Sequence, residues 1–145
     1  MFSHTMSNKQ LPQLCILLTI FLQATASEKR NCVFSSEITV HVVSNLPQNT
    51  PQVFLRCQSH DDDLGNHTLA PNQDFHWDFC SNINTLLFCH LVWNGKSASF
   101  DVFNYNWPDS RCPYGTCNWA ALPDGIYQGF QCPPTPSTLI KQYSW

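Results

Sequence analysis

The chain has 145 residues, 43% of them hydrophobic and only 12% charged, with a formal net charge of −3. This size suffices for one domain with a buried core, and the few basic residues disfavour both nucleic acid and anionic lipid surfaces as partners. Eight cysteines in so short a chain indicate disulfide bonds and an oxidising compartment.

The first 26 residues have the features of a secretory signal peptide. Lys9 precedes a mostly apolar run at residues 11–22, and Ala24-Thr25-Ala26 matches a small-x-small cleavage site. The run is shorter than the about 20 residues that a spanning helix needs, and no later segment is long or apolar enough. We therefore predict a secreted, extracellular protein without membrane insertion. Residues 27–145 would form one domain, with a net charge of −4 once Lys9 is removed.

Eight short strand-like runs follow, each bounded by turn residues, and no segment shows sustained helical periodicity or an internal repeat. The runs are residues 37–43, 53–58, 74–80, 85–93, 97–104, 116–120, 126–131 and 138–145. Many short strands at this spacing predict an all-β fold, a two-sheet antiparallel β-sandwich of about eight strands. The aromatic side chains are assigned to core packing, with Phe75, Trp77 and Phe79 on the inward face of one strand.

An acidic segment follows the second run. Val53, Leu55 and Cys57 share one face of a strand, and three consecutive aspartates come four residues later. Charged groups cannot be buried unpaired, so the aspartates are expected in a solvated surface loop that stabilises its own turns. The spacing does not match a calcium loop. Exposed loops commonly carry recognition, and this one is the first candidate. The predicted recognition loop comprises His60, Asp61, Asp62, Asp63, Leu64, Gly65 and His67.

Asn66-His67-Thr68 is the only N-x-S/T sequon in residues 27–145. It lies beside the acidic segment and behind a signal peptide, so we predict N-glycosylation at Asn66.

Cys15 leaves with the signal peptide, so seven cysteines remain. They are Cys32, Cys57, Cys80, Cys89, Cys112, Cys117 and Cys132. No C-x-x-C occurs among them, which favours disulfides over a zinc site. Because seven is odd, one thiol stays free or pairs between chains. We expect a monomer, with a disulfide-linked dimer through the odd cysteine as the alternative.

Catalytic patterns are absent from the sequence. The five mature histidines are scattered over separate strands and loops, and basic residues are few, which disfavours a ribonuclease. His76 and His90 would face each other across a hairpin centred near Ile83 and hold zinc there, but two solvated histidines are the preferred interpretation. Asp101 and Asp124 lie beside turns, as structural aspartates often do. We therefore predict no catalytic residue, no cofactor and no metal.

The chain resembles the plant self-incompatibility S-protein family, the S-protein homologues. The resemblance rests on an ordered set of short motifs over residues 38–127 and on the closing residues 141–145. These motifs are Cys57-x-Ser59-x-Asp61-Asp62-Asp63-Leu64-Gly65, Phe75-x-Trp77-x-Phe79, Leu87-Phe88-Cys89, Phe100-Asp101-Val102-Phe103, Cys112 with Cys117-x-Trp119, and Asp124-Gly125-Ile126-Tyr127.

The resemblance implies a small secreted β-sandwich of the plant apoplast, held by two disulfides. The family's four cysteines map onto Cys57, Cys89, Cys112 and Cys117. The expected pairs are Cys57 with Cys117 and Cys89 with Cys112, although four cysteines allow three connectivities. The other three cysteines depart from the family pattern. Cys32 and Cys132 flank the domain and could tie its ends together. Cys80 lies on the outward face of its strand with His76 and Asp78, which makes it the candidate free thiol, and the expected pairing fails if Cys80 takes the partner of a family cysteine.

One characterised role in the family is that of a stigma-secreted ligand, which a pollen-surface membrane receptor recognises in the rejection of self pollen. The predicted function is therefore an extracellular ligand for a cell-surface receptor protein, and not an enzyme. The alternatives are a carbohydrate-binding module, in which Trp93, Trp107 or Tyr114 would stack on glycans, a defence-related apoplastic protein, and a secreted ribonuclease.

Overall fold

The computed structural model describes residues 32–130 and 136–145, which form nine β-strands and three short 3-10 turns. The predicted signal peptide, its predicted cleavage site and Cys132 lie outside these residues. The strands are β1 (Glu37–Ser44), β2 (Val53–Ser59), β3 (Asp63–Leu69), β4 (Asp74–Cys80), β5 (Leu86–Trp93), β6 (Lys96–Asn104), β7 (Thr116–Leu122), β8 (Gly125–Gly129) and β9 (Leu139–Tyr143). Within the described ranges, no helix has the length and hydrophobicity to cross a bilayer.

The strands form two sheets, so the predicted two-sheet β-sandwich is confirmed. The five-stranded sheet has the order β4-β1-β7-β8-β9 and the four-stranded sheet the order β3-β2-β5-β6. The strands pair antiparallel except at one position, where β1 and β7 are parallel neighbours in the middle of the five-stranded sheet. Strands β2 to β6 lie between β1 and β7 in the chain and form the long crossover connection that a parallel pair requires. The expectation of an entirely antiparallel fold is wrong at this pair.

The core lies between the sheets and follows the period-two alternation of the strands. Val40 and Val42 of β1 face Leu55 and Cys57 of β2 across it, and all four are at most 1% exposed. Trp119 of β7 lies at the centre, and its indole Nε1 donates a hydrogen bond to the carbonyl of Val102 on β6 at 3.0 Å. Phe75, Trp77 and Phe79 pack against this core, as the inward pattern of β4 predicts.

The disulfides differ from the expected pairs. Cys57 bonds to Cys89, its direct neighbour across β2 and β5, with the two Cα atoms 4.0 Å apart. Cys112 bonds to Cys117 across a short loop before β7. The expected Cys57–Cys117 bond would join the two sheets, but Cys57 is bonded to its cross-strand neighbour and Cys117 to a cysteine five residues away in the chain. The expected pairing is therefore wrong.

The third bond joins Cys32 to Cys80, with Cα atoms 5.6 Å apart. It ties the segment before β1 to the end of β4, because β4 ends where its neighbour β1 begins. Cys80 is therefore not a free thiol, and Cys32 does not bond to Cys132. Cys80 was expected to be free because its side chain points away from the core, but on that side it meets Cys32 and bonds to it.

Candidate functional site

The predicted recognition loop is a β-hairpin with a much shorter loop. Asp63, Leu64, Gly65 and His67 belong to β3, which pairs with β2 from Val53 opposite Leu69 to Gln58 opposite Asp63. Only His60–Asp62 remain as the connecting loop, which we call the acidic tip. An edge strand needs one hydrogen-bonded neighbour, and β2 supplies it although the β3 sequence lacks a clear alternation. The prediction that residues 60–67 form a loop is wrong for residues 63–67, which belong to β3.

Hydrogen bonds close the hairpin directly at the acidic tip. The backbone N–H of Ser59 donates to the carbonyl of Asp62 at 2.7 Å, and the N–H of Asp62 donates to the Ser59 hydroxyl at 3.1 Å. The Cys57–Cys89 bond lies two residues before this turn. One strand of the hairpin, β2, is therefore cross-linked to β5 close to the tip.

Asp63 is part of the hairpin framework. Arg56 on β2 donates to its carboxylate through Nε, at 3.1 Å to Oδ2, and through Nη2. The N–H of Gly65, whose φ is +81°, donates to Oδ1 at 2.9 Å. The bond to Arg56 and then the bond to Gly65 lower the pKa of Asp63, and the same ion pair raises the pKa of Arg56. Sequence reasoning missed Arg56, whose place opposite β3 depends on a strand that was not predicted.

Asp61 and Asp62 differ from Asp63. Both residues are exposed, and within residues 32–130 and 136–145 neither carboxylate has a hydrogen bond or an ion pair. Three adjacent carboxylates thus divide into one that holds the strands together and two whose charges stay available at the surface. The two available charges are the part of the predicted loop that suits recognition.

His67 also has a structural position. It is partly buried, and its Nε2–H donates to the carbonyl of Leu64 at 2.7 Å. Its ring lies 4.3 Å from the ring of Phe75, which connects edge strand β3 to edge strand β4 of the other sheet. Asn66 points the other way and is exposed, so the sequon is accessible. Glycosylation itself stays a prediction.

A cleft of about 660 Å³ opens between the start of β1, the end of β6 and the loop before β7. We call it the aromatic cleft. Its walls include Phe103, Tyr105, Trp107 and Tyr114, with the acidic residues Glu37 and Asp109. At the start of β5, Leu86 pairs with Asn104, the last residue of β6, and Leu87 pairs with Ser59, the last residue of β2. Strands β2 and β6 therefore end at the same end of the sheet. The acidic tip and the aromatic cleft therefore lie at the same end of the sandwich.

Tyr114 is presented by a constrained turn. It has a left-handed backbone, with φ 56° and ψ 30°, and is 60% exposed. The Cys112–Cys117 bond closes the turn, and Gly115 lies so close to β1 that an added Cβ would be 2.9 Å from the carbonyl oxygen of Glu37. A bulky residue in this conformation is an outlier that costs free energy and often marks a binding site.

Two of the three aromatic residues considered for glycan stacking line the aromatic cleft, and the third does not. Trp107 and Tyr114 lie in its wall, together with Tyr105, which sequence reasoning missed. Trp93 is only 5% exposed, and its Nε1 donates to the carbonyl of Pro51 at 3.0 Å. The ring of Trp107 stacks on the Arg111 guanidinium at 3.9 Å, which fixes its orientation.

The two histidines considered for zinc do not meet. His76 lies on the outer face of the five-stranded sheet and His90 on the outer face of the four-stranded sheet. β4 and β5 are not hairpin partners, because residues 81–85 carry the chain from one sheet to the other. The proposed His76–His90 pair is therefore wrong. His90 Nδ1 instead lies 2.8 Å from the Ser99 hydroxyl on β6.

Comparison with known proteins gives the family. The sequence model of plant self-incompatibility protein S1 matches residues 39–145. This chain belongs to that family. S-protein homolog 18 of Arabidopsis thaliana is 36% identical over 98 residues, which cover 65% of this chain and 71% of the relative, and S-protein homolog 20 is 33% identical over 98 residues, which cover 65% and 70%.

A solved structure has the same fold as this S-protein homologue. It comes from work on self-incompatibility protein homologues, described as a widespread family of small, highly stable, secreted proteins from plants. The match covers 77% of this chain and 96% of the other, with a TM-score of 0.57 and 17% identity. The predicted family, fold class and secreted location are thereby confirmed.

Most motif residues that identify an S-protein homologue are structural in this chain. Phe75, Trp77 and Phe79 pack on the core, and Cys57 and Cys89 bond to each other within it. Trp119 lies at its centre. The family motifs thus explain the fold, while Asp61 and Asp62 are the motif residues with exposed side chains and no structural contact.

Proposed function

We propose that this S-protein homologue is an extracellular ligand that a cell-surface receptor protein recognises through the acidic tip. The supporting observation is the exposure of the Asp61 and Asp62 carboxylates on a hairpin whose strands are joined by the Arg56–Asp63 ion pair and whose strand β2 is bonded to β5 through Cys57–Cys89. Charges that are already desolvated or paired add little to recognition, whereas available charges on a rigid support steer association and select the partner.

Binding without catalysis is part of this proposal. In support, His76 and His90 lie on opposite outer faces, so this pair cannot act together on one phosphate. His41 does lie beside His76, but the charged group in contact with both is the Asp74 carboxylate and not the cationic side chain that a ribonuclease would need. A role in the rejection of self pollen is one form of the proposed function, and expression confined to the pistil would support it over a general apoplastic signal.

The test separates recognition from folding with three variants. Asp61→Ser/Asp62→Ser removes both available charges, Asp61→Glu/Asp62→Glu retains them, and Asp101→Ser removes one carboxylate from β6 at the opposite edge of the same sheet. Saturable binding of the labelled proteins to plasma-membrane vesicles from plant cells is measured before and after the vesicles are treated with protease. Protease sensitivity identifies the binding partner as a protein.

The Ser variant is expected to bind about tenfold more weakly, as the loss of two exposed charge pairs at about 0.7 kcal/mol each implies. The Glu and Asp101→Ser variants should bind nearly as well as the native protein. Equal binding by the Ser variant, with an unchanged unfolding curve, would exclude the acidic tip as the recognition site.

Carbohydrate binding is the second candidate, and the aromatic cleft favours it. Tyr105 and Tyr114, 45% and 60% exposed, lie in one concave wall with Trp107 and two carboxylates, a combination that suits the apolar faces and hydroxyls of a sugar. A glycan array tests it directly. Tyr114→Ala should abolish any signal, and Trp93→Phe, a change outside the cleft, should retain it.

A further inference from the structure

His76 has a histidine partner that sequence reasoning missed. His41 on β1 lies directly opposite His76 on β4, and both side chains point to the outer face of the five-stranded sheet. Their rings are stacked, with centroids 5.1 Å apart and an interplanar angle of 29°. Two imidazoles therefore lie side by side on adjacent strands, as cross-strand neighbours do.

Asp74 completes the group. It lies two residues before His76 on β4 and so shares the outer face. Its Oδ2 is 2.7 Å from His41 Nδ1 and 3.6 Å from His76 Nδ1. One ligand atom from each of the three residues lies within 4.8 Å of the others, and no other group of three potential ligands in residues 32–130 and 136–145 converges in this way.

We propose that His41, Asp74 and His76 bind a divalent transition-metal ion of the Zn²⁺ or Cu²⁺ type. Two imidazole nitrogens and one carboxylate oxygen form a ligand set that these ions prefer, whereas Ca²⁺ and Mg²⁺ prefer oxygen ligands throughout. The site is independent of the acidic tip, which lies on the other sheet, so either proposal stands or fails without the other.

The distances fit such an ion after a small adjustment. Around a tetrahedral ion with ligand distances of about 2.0–2.1 Å, ligand atoms lie roughly 3.3 Å apart. The two separations from Asp74, 2.7 and 3.6 Å, lie on either side of that value. The two imidazole ligand atoms lie within 4.8 Å of each other. The side chain of His76, 41% exposed, is free to rotate to complete the geometry, while that of His41, 16% exposed, is held more firmly.

The neighbouring strand adds a polar group to the same row. Asn118 on β7 is paired in register with His41, and its Nδ2 is buried without a hydrogen-bond partner. Amide nitrogen and oxygen are assigned from hydrogen bonds, so the reversed amide places an oxygen in that position. The row His76, His41 and Asn118 thus crosses three adjacent strands of the outer face.

The test is calorimetric titration of Zn²⁺ and of Cu²⁺ into the secreted protein, produced without a polyhistidine tag and stripped by a chelator. The native protein should bind one ion per chain in a saturable manner, with Cu²⁺ bound more tightly than Zn²⁺. His76→Ala and Asp74→Asn should each weaken binding at least tenfold. His90→Ala is the matched control, since it removes an exposed histidine from the outer face of the other sheet, and it should bind like the native protein.

A second measurement locates the ion. Amide NMR spectra recorded during the Zn²⁺ titration should shift for residues around 41, 74–76 and 118, and not for residues around 90. His76 is exposed and its replacement leaves the core intact, so failure to fold is not expected to obscure the result. Absence of saturable binding, or an equal loss of affinity in His76→Ala and His90→Ala, would overturn the proposal.

Discussion

Removal of the Cys57–Cys89 bond should destabilise the protein more than removal of the Cys112–Cys117 bond. The two bonds join residues that are 32 and 5 positions apart in the chain. If a disulfide acts by restricting the unfolded chain, these loops correspond to about 4 and about 2 kcal/mol of unfolding free energy at 25 °C. Burial does not separate the two bonds, since Cys57, Cys89 and Cys117 are fully buried and Cys112 is only 8% exposed, so alanines leave a cavity in either variant and the expected difference comes from loop length.

The assay is unfolding in guanidinium chloride, followed by tryptophan fluorescence, for the native protein, Cys57→Ala/Cys89→Ala and Cys112→Ala/Cys117→Ala. The first double variant should lose about 2 kcal/mol more than the second, on extrapolation to water with a common slope. Equal losses, or a larger loss for the shorter loop, would refute the reasoning from loop length.

Peptide mapping checks the connectivity on which this prediction rests. Trypsin cleaves after Arg56, Lys96 and Arg111, so fragment 57–96 contains both cysteines of the first bond and fragment 112–141 both cysteines of the second. Without reduction, these two fragments should separate from each other. Fragment 57–96 also carries Cys80, which should keep it joined to fragment 31–56 through Cys32, and fragment 112–141 also carries Cys132. A covalent link between fragments 57–96 and 112–141 would contradict the structure.

Four further predictions follow from single contacts. Asp63→Asn should lower the melting temperature at neutral pH. The stability that the Asp63 carboxylate contributes is present above the ordinary carboxyl pKa of 3.8 and is lost as the pH falls through the lower folded-state pKa, so the melting temperatures of variant and native protein should converge in acid. Tyr114→Gly should change the unfolding free energy by less than about 1 kcal/mol, since relief of the left-handed backbone offsets the added chain entropy, while it weakens any ligand of the aromatic cleft. Gly125→Ala should cost about 2–3 kcal/mol in urea unfolding, because its Cβ would come within 2.2 Å of the Tyr143 carbonyl oxygen and separate β8 from β9. Asn66→Gln should abolish the gel shift that an N-glycosidase produces in the native secreted protein and leave the melting temperature unchanged.

The strands that alternate clearly could be predicted from the sequence. Each of the eight predicted runs overlaps a strand of the structure, because apolar residues at every second position specify a buried face. β3 was missed because the aspartates, Gly65 and exposed polar residues remove that signal. Its stability comes from the β2 backbone and from the Arg56–Asp63 ion pair, neither of which a local pattern contains.

The site could be predicted only in part, for a related reason. Asp61 and Asp62 follow from the cost of burying charge, which is a local property. The disulfide pairs, the partner of His76 and the walls of the aromatic cleft depend on which strands are neighbours. That information lies in the register of β1 with β4 and of β2 with β5, which the sequence alone did not reveal.

The parallel pair at the centre of the five-stranded sheet has a consequence for the order of folding. The strands of the four-stranded sheet meet largely through neighbouring hairpins, so that layer can assemble from nearby segments. Thr39, by contrast, must wait for Thr116 to leave the ribosome before β1 gains its second neighbour. Distant pairing of this kind slows folding. We therefore expect the layer that carries the acidic tip to form first during secretion, and the layer that carries the paired histidines to close onto it last.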